Sequence, residues 1–253
     1  MAKIKKNRES FTNFAANNIK TMKNRSLFLL FALLPLLFAA CTQGTPPRSS
    51  DAGTPAAKKP DSLPMTPVAV ERDFTQINNL SNVDILWSEG PCRIGFEGNK
   101  MLLNDLDITV DDAGLTVNEL HPIAPSLTAR LHISSPTLTL LSNYNSATIR
   151  LTGCLRTESL EIGNMVEGCI DADTLLCQRL KYTAEGTATA LFRLIRADEA
   201  ALIADGNGTT DATLDVGHLV FHAWGTQRVT LRGHADTKDM SCSRTNMVND
   251  LLK

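Results

Sequence analysis

Residues 138–231 decide the fold. Divided at successive leucines they read LTLLSNYNSATIRLTGCLRTES (138–159), LEIGNMVEGCIDADTLLCQR (160–179), LKYTAEGTATALFRLIRADEAA (180–201), LIADGNGTTDATLDVGH (202–218) and LVFHAWGTQRVTL (219–231). The anchors Leu138, Leu160, Leu180, Leu202 and Leu219 are spaced by about 22, 20, 22 and 17 residues, a period typical of stacked-coil proteins. Two residues past the anchors stand Leu140, Ile162, Tyr182, Ala204 and Phe221. About ten past them stand Thr148, Ile170, Ala190, Ala212 and Val229, followed less regularly by Leu151, Leu175, Leu194, Leu214 and Leu231. Gly186, Gly208 and Gly225 each fall six residues past an anchor, at a turn.

A short strand, a Gly- or Asn-bearing turn and a second short strand make one coil on this reading. A single coil cannot bury its own apolar face, but stacked coils share one continuous interior column. Parallel ladders then pair the backbone groups of each coil with the next. An aromatic content of only 5% suits a narrow interior. The sequence therefore predicts an all-β parallel β-helix, a solenoid. The alternative is an antiparallel β-sandwich, which the scarcity of two-residue hairpin turns after Pro136 disfavours.

Upstream the pattern changes. Val83, Ile85 and Trp87 alternate, as do Ile94 and Phe96. Ile108 and Val110, then Leu115 and Val117, flank Asp111-Asp112-Ala113-Gly114, a hairpin signal. Residues 99–106 (NKMLLNDL) suit one or two helical turns. These N-terminal antiparallel strands are expected to cap one end of the solenoid, and residues past about 236 the other, within a domain spanning 68–253.

Residues 42–67 carry six prolines among Gly, Ser, Thr and Ala and read as an extended tether. Before them, Leu27–Ala40 (LFLLFALLPLLFAA) is an uncharged run of 14 residues behind Lys23 and Arg25. It is too short to span a bilayer and has the form of a secretory signal peptide covering residues 1–40. Met22-Lys23-Asn24-Arg25 is itself a normal signal start, so residues 1–21 are read as a start-site artefact. Phe38-Ala39-Ala40-Cys41 resembles the lipobox of bacterial lipoproteins, which implies that Cys41 is lipidated and begins the mature chain. Thr42, in place of Asp, then implies the outer membrane of a Gram-negative bacterium, with the periplasmic or surface side left open.

The globular part resembles the bacterial putative auto-transporter adhesin, head GIN domain family, a domain of unknown function. The likeness covers roughly residues 73–237. It rests on Phe74-Thr75-Gln76-Ile77, Val83-Asp84-Ile85, Leu102-Leu103, Ile108 to Val117 (ITVDDAGLTV) and the loose coils. It implies a lipoprotein-borne parallel β-helix with an adhesive role. The Ser-Gly-Ala-like turns of other members are replaced here by Gly163-Asn164, Ala184-Glu185-Gly186 and Asp205-Gly206-Asn207-Gly208.

Chemistry-bearing residues are sparse. With Lys+Arg 25 against Asp+Glu 27, net charge −2, there is no basic footprint for nucleic acid. Five cysteines lie beyond Cys41: Cys92, Cys154, Cys169, Cys177 and Cys242. Cys154 and Cys177, 16 and 17 residues past their anchors, form a candidate disulfide between successive coils, against the ordinary reading of buried free thiols. His218, His222 and His234 could approach across coils as metal ligands; edge histidines are the plainer reading. Asp171 and Asp173 share one strand face and could hold Ca2+ or serve glycoside chemistry, whereas a solvated acidic edge is the plainer reading, as for Asp205, Asp211 and Asp215. Arg193 and Arg196 read as solvated.

No catalytic residue, metal site or cofactor is assigned. The function expected is noncatalytic adhesion or binding to an envelope polymer, glycan or protein, with the membrane engaged through the lipid. The alternatives are a polysaccharide-processing enzyme on a β-helix and a purely structural envelope protein.

Overall fold

The computed structural model describes residues 65–124, 126–243 and 248–253. The folded unit is a parallel β-solenoid, as the coil pattern requires. Its strands are β1 (Met65–Val68), β2 (Gln76–Asn79), β3 (Asp84–Glu89), β4 (Arg93–Gly98), β5 (Leu106–Asp111), β6 (Gly114–Glu119), β7 (Ala129–Ser135), β8 (Leu140–Asn143), β9 (Thr148–Asn164), β10 (Cys169–Ala184), β11 (Thr189–Gly206), β12 (Thr209–Gly225), β13 (Arg228–Cys242) and β14 (Val248–Leu252). From β9 to β14 each strand pairs in parallel with the next.

Each coil has three sides rather than the two expected. In β10 the buried apolar residues are Ile170 and Ala172, then Leu175, then Leu180, Tyr182 and Ala184. Strict alternation would keep one parity. Two parity changes mean two corners, at Asp173–Thr174 and around Gln178, where the ladder skips a pair. Hydrogen bonding continues past both corners, so one long strand wraps most of a coil.

The register also revises the coil anchors. Leu202 pairs with Tyr182 and Phe221; the row containing Leu160 and Leu180 continues through Ala200 and Leu219. Likewise Ile195, not Leu194, aligns with Leu175 and Leu214. Small residues hold interior positions where a large neighbour fills the space. Phe192, edge-on to Tyr182 at 5.0 Å, has Ala172 and Ala212 as its partners above and below. An anchor chosen for hydrophobicity misses these alanines.

A second interior row is polar. Asn79, Asn143 and Asn164 stack in register, all fully buried. Asn79 Nδ2 donates to Asn143 Oδ1 at 3.4 Å, and Asn143 Nδ2 to Asn164 Oδ1 at 3.3 Å. Each amide also donates to the carbonyl four residues on: Val83, Ala147 and Gly168. The side chains therefore close the turn while stacking between coils.

The N-terminal end is layered out of chain order. β2 lies between β6 and β8, and β3 between β7 and β9, all in parallel. Residues 90–113 run out to the end of the solenoid, and β6 and β7 return as the coil outside β2–β3. The expected hairpin joins β5 to β6, with Ile108 opposite Val117 and Val110 opposite Leu115. β4 pairs antiparallel with β7, and β1 with β4. The short helical segment is a 3-10 turn, Lys100–Asp105.

At the C-terminal end the inward rows finish in charge. Lys238 follows Leu219, and Asp250 follows Leu231. Lys238 Nζ meets Asp250 Oδ2 at 2.5 Å. Inward-pointing charge of this kind blunts an edge that would otherwise accept another strand.

Candidate binding face

The charged candidates from the sequence, Asp205 apart, are consumed by one another. The Arg193 guanidinium hydrogen-bonds both Asp171 and Asp173, the latter at 3.0 Å. Arg150 approaches Asp171 at 3.7 Å, and the Gly153 N–H donates to Asp173 at 2.9 Å. Arg196 pairs with Asp215 at 2.8 Å and Arg232 with Asp211. Arg193 and Arg196, read as solvated, are thus ladder partners between coils, and the Asp171–Asp173 pair is neutralised in place.

The histidines do not converge. His218 Nδ1 meets Thr237 Oγ1 at 2.7 Å. His234 lies between the Lys253 carbonyl at 2.8 Å and Asp236 at 3.0 Å. The Asp236 contact, then the carbonyl, hold its pKa above the usual imidazole range. His222 stacks on Trp224. Among the described residues no three His, Cys, Asp or Glu side chains gather as a metal site.

The thiols are free. Cys154 pairs with Thr174 and Cys177 with Thr157. That offset of three positions separates them by about 10 Å along the strand, beyond the roughly 7 Å limit for bridging. The disulfide considered from coil spacing is therefore not formed. Burial, aided by Asp198, pushes the Cys177 thiol up to about 11. Burial also raises Cys92 and Cys242. Those three thiols therefore lack the depressed pKa of a nucleophile. Cys41 lies outside the described residues.

What the sequence left unmarked is a row along the turns. The residues just after the aligned positions Asn79, Asn143, Asn164, Ala184, Ala204 and Ala223 are Leu80, Tyr144, Met165, Glu185, Asp205 and Trp224. The aligned positions point inward, so this row points out. Leu80 is 39% exposed, Tyr144 43% and Trp224 38%. The His222 ring lies 5.5 Å from Trp224 at an interplanar angle of 10° and backs the indole. Burial first, then Asp205, raises the Glu185 carboxyl above the usual range.

The backbone beside the row is tightly specified. Gly186, Gly206 and Gly225 follow Glu185, Asp205 and Trp224 with positive φ, and a Cβ on Gly206 would lie 2.1 Å from the Gly186 carbonyl oxygen. In the preceding coil this place is taken by Val166, with φ of 58° and 55% exposure. A β-branched residue in that region is strained. The sequence signal for the row is the residue following each buried Asn or Ala, legible only once coil lengths are known.

Comparisons with known proteins agree with this architecture. No curated protein matches the chain. The structure resembles the crystal structure of a "putative adhesin" from Bacteroides fragilis NCTC 9343, at 18% identity and a TM-score of 0.59, covering 76% of this chain and 97% of that one. It also resembles a "putative adhesin" from Parabacteroides distasonis ATCC 8503, at 12% identity and a TM-score of 0.53, covering 76% and 95%. At these identities the likeness is one of fold. Residues 73–249 match the family described as "Putative auto-transporter adhesin, head GIN domain", and the chain belongs to that family.

Proposed function

We propose that this protein is a noncatalytic binding module, held to the outer membrane by lipid on Cys41 and presenting its turn row to a cell-envelope polymer. The observation that carries the reading is the placement of Leu80, Tyr144, Met165 and Trp224 at one outward position of different coils. Exposed apolar and aromatic groups gathered in a line mark an interaction surface more than scattered ones do. A solenoid holds such a line rigid, so the partner loses freedom but the protein loses little. Family membership supports adhesion. The neutralised Asp171–Asp173 pair argues against the polysaccharide-cleaving alternative, which needs one carboxyl free to donate a proton.

Sedimentation of the full chain with isolated envelope polysaccharide tests the reading. The wild type should co-sediment, and the double variant Tyr144→Ala, Trp224→Ala should lose most of that binding. Equal binding by both refutes the turn row as the contact. Separately, Cys41→Ser should release the protein from the membrane fraction; retention would reject the lipid anchor.

A further inference from the structure

Resting on that reading, we infer that the turn row binds an amino-sugar polymer: a chain of pyranose rings carrying free ammonium groups. Three observations combine. The first is the platform at Trp224. Its indole is backed by the near-parallel, stacked His222 ring, which fixes the orientation of a flat, partly exposed apolar face. Such a face accepts the C–H side of a pyranose, and it also attracts a cation.

The second is charge. Glu185 and Asp205 are neighbours in the row, and neither forms an ion pair or side-chain hydrogen bond among the described residues. This contrasts with Asp171, Asp173, Asp211 and Asp215, each matched to an arginine. Burial and mutual repulsion act together on Glu185. An ammonium group between the two carboxylates relieves both and forms charge-assisted hydrogen bonds. An anionic lipid surface would be repelled at the same place.

The third is shape and backbone state. Tyr144 and Trp224 are four coils apart, about 19 Å at about 4.8 Å per coil. The row is an open ridge, suited to a polymer lying across coils. A basic polypeptide would gain most by adding a strand to a free edge. Here the turn backbone is already paired from coil to coil: Thr187 N–H to Val166 O at 2.7 Å, Asn207 N–H to Gly186 O at 2.7 Å, Thr226 N–H to Gly206 O at 2.8 Å. The ridge offers rings and carboxylates but no free ladder, which favours the saccharide.

Tryptophan fluorescence of the full chain provides the test. The chain has two tryptophans; Trp87 is fully buried and donates to Ser135 Oγ at 2.9 Å, so a ligand-induced change reports Trp224. The probes are glucosamine hexamer, its fully N-acetylated counterpart, and a lysine oligomer of equal charge. The expected result is saturable binding of glucosamine hexamer, at least tenfold weaker binding of the acetylated hexamer, and weaker binding of the lysine oligomer. The double variant Glu185→Gln, Asp205→Asn should lose at least tenfold affinity for the hexamer with an unchanged circular dichroism spectrum. Equal binding of the acetylated hexamer overturns the ammonium requirement, and equal binding of the lysine oligomer makes the partner a basic polypeptide. If the hexamer fails to bind while envelope polysaccharide still sediments in a Trp224-dependent manner, this inference falls and the proposed function stands. If neither ligand depends on Trp224, both fall.

Discussion

Replacing Asn143 by Ala tests whether the buried amide row, as well as the apolar columns, holds the coils together. Asn143 Nδ2 donates to the Ala147 carbonyl at 2.7 Å and to Asn164 Oδ1 at 3.3 Å; its Oδ1 accepts from Asn79 Nδ2 at 3.4 Å. After truncation the Ala147 carbonyl keeps the Cys169 N–H at 3.0 Å, and Asn79 Nδ2 keeps the Val83 carbonyl at 3.2 Å. Asn164 Oδ1 keeps no donor, in a residue with no exposure. One net hydrogen bond contributes about 1 kcal/mol and a stranded buried acceptor costs about 1–3 kcal/mol, so the loss should be about 2–4 kcal/mol. For a domain of this size that lowers Tm by roughly 4–16 °C. Urea denaturation followed by circular dichroism gives the free energy, with Glu167→Ala, at the exposed turn surface, as the control. Combining Asn143→Ala with Asn164→Ala should cost less than the sum, because the orphaned acceptor is removed too. A loss below about 0.5 kcal/mol for Asn143→Ala, with an unchanged m-value, would refute the reasoning.

Other outcomes follow from single features. Val166→Gly should stabilise the protein by about 1 kcal/mol in the same denaturation assay, because Gly relieves the positive φ that its neighbours in the next coils already meet with Gly. Gly206→Ala should destabilise it by at least about 2 kcal/mol, since the new Cβ meets the Gly186 carbonyl at 2.1 Å. For Asp250, burial raises the carboxyl, but the Lys238 ammonium and the Leu252 N–H outweigh it, so the folded pKa lies below 3.8. Its stabilisation is therefore complete above the unfolded value near pH 4 and is lost as pH falls through the lowered folded value; acid titration of Asp250→Asn should lack that component. At pH 8 the Cys177 thiol, with a pKa of about 11, should react with iodoacetamide at least tenfold more slowly than the same cysteine in urea, read by mass spectrometry of the Cys177 peptide.

The fold was legible in the leucines because an interior shared by stacked coils repeats hydrophobicity at coil length. The exact register was not, because interior volume is conserved across neighbours and not within each position: Ala200 and Ala172 are as buried as Leu160 and Phe192. The three-sided coil could have been read from the parity shift between Ala172 and Leu175. The N-terminal hairpin was plain in ITVDDAGLTV, but nothing local tells that β2 pairs with residues 64 positions later, Ile77 with Leu141. Of the candidate site, the charged residues were visible and their mutual pairing was not, since Asp171 and Arg193 meet only when coils of about 20 residues are stacked. Tyr144 and Trp224 carry no local signal at all. They become neighbours in function through a register that the surrounding alanines and asparagines set.

The placement of β2–β3 inside the coil formed by β6–β7 has a consequence for biogenesis. As the polypeptide emerges from the ribosome, Gln76–Glu89 appears early yet has no lasting partners until residues 114–143 follow. Assembly of this end must therefore wait, with Ile85 and Trp87 still wetted, whereas the later coils can close one after another onto a finished template. A holdase that shields this early stretch during synthesis would serve the first strands and be dispensable for the last.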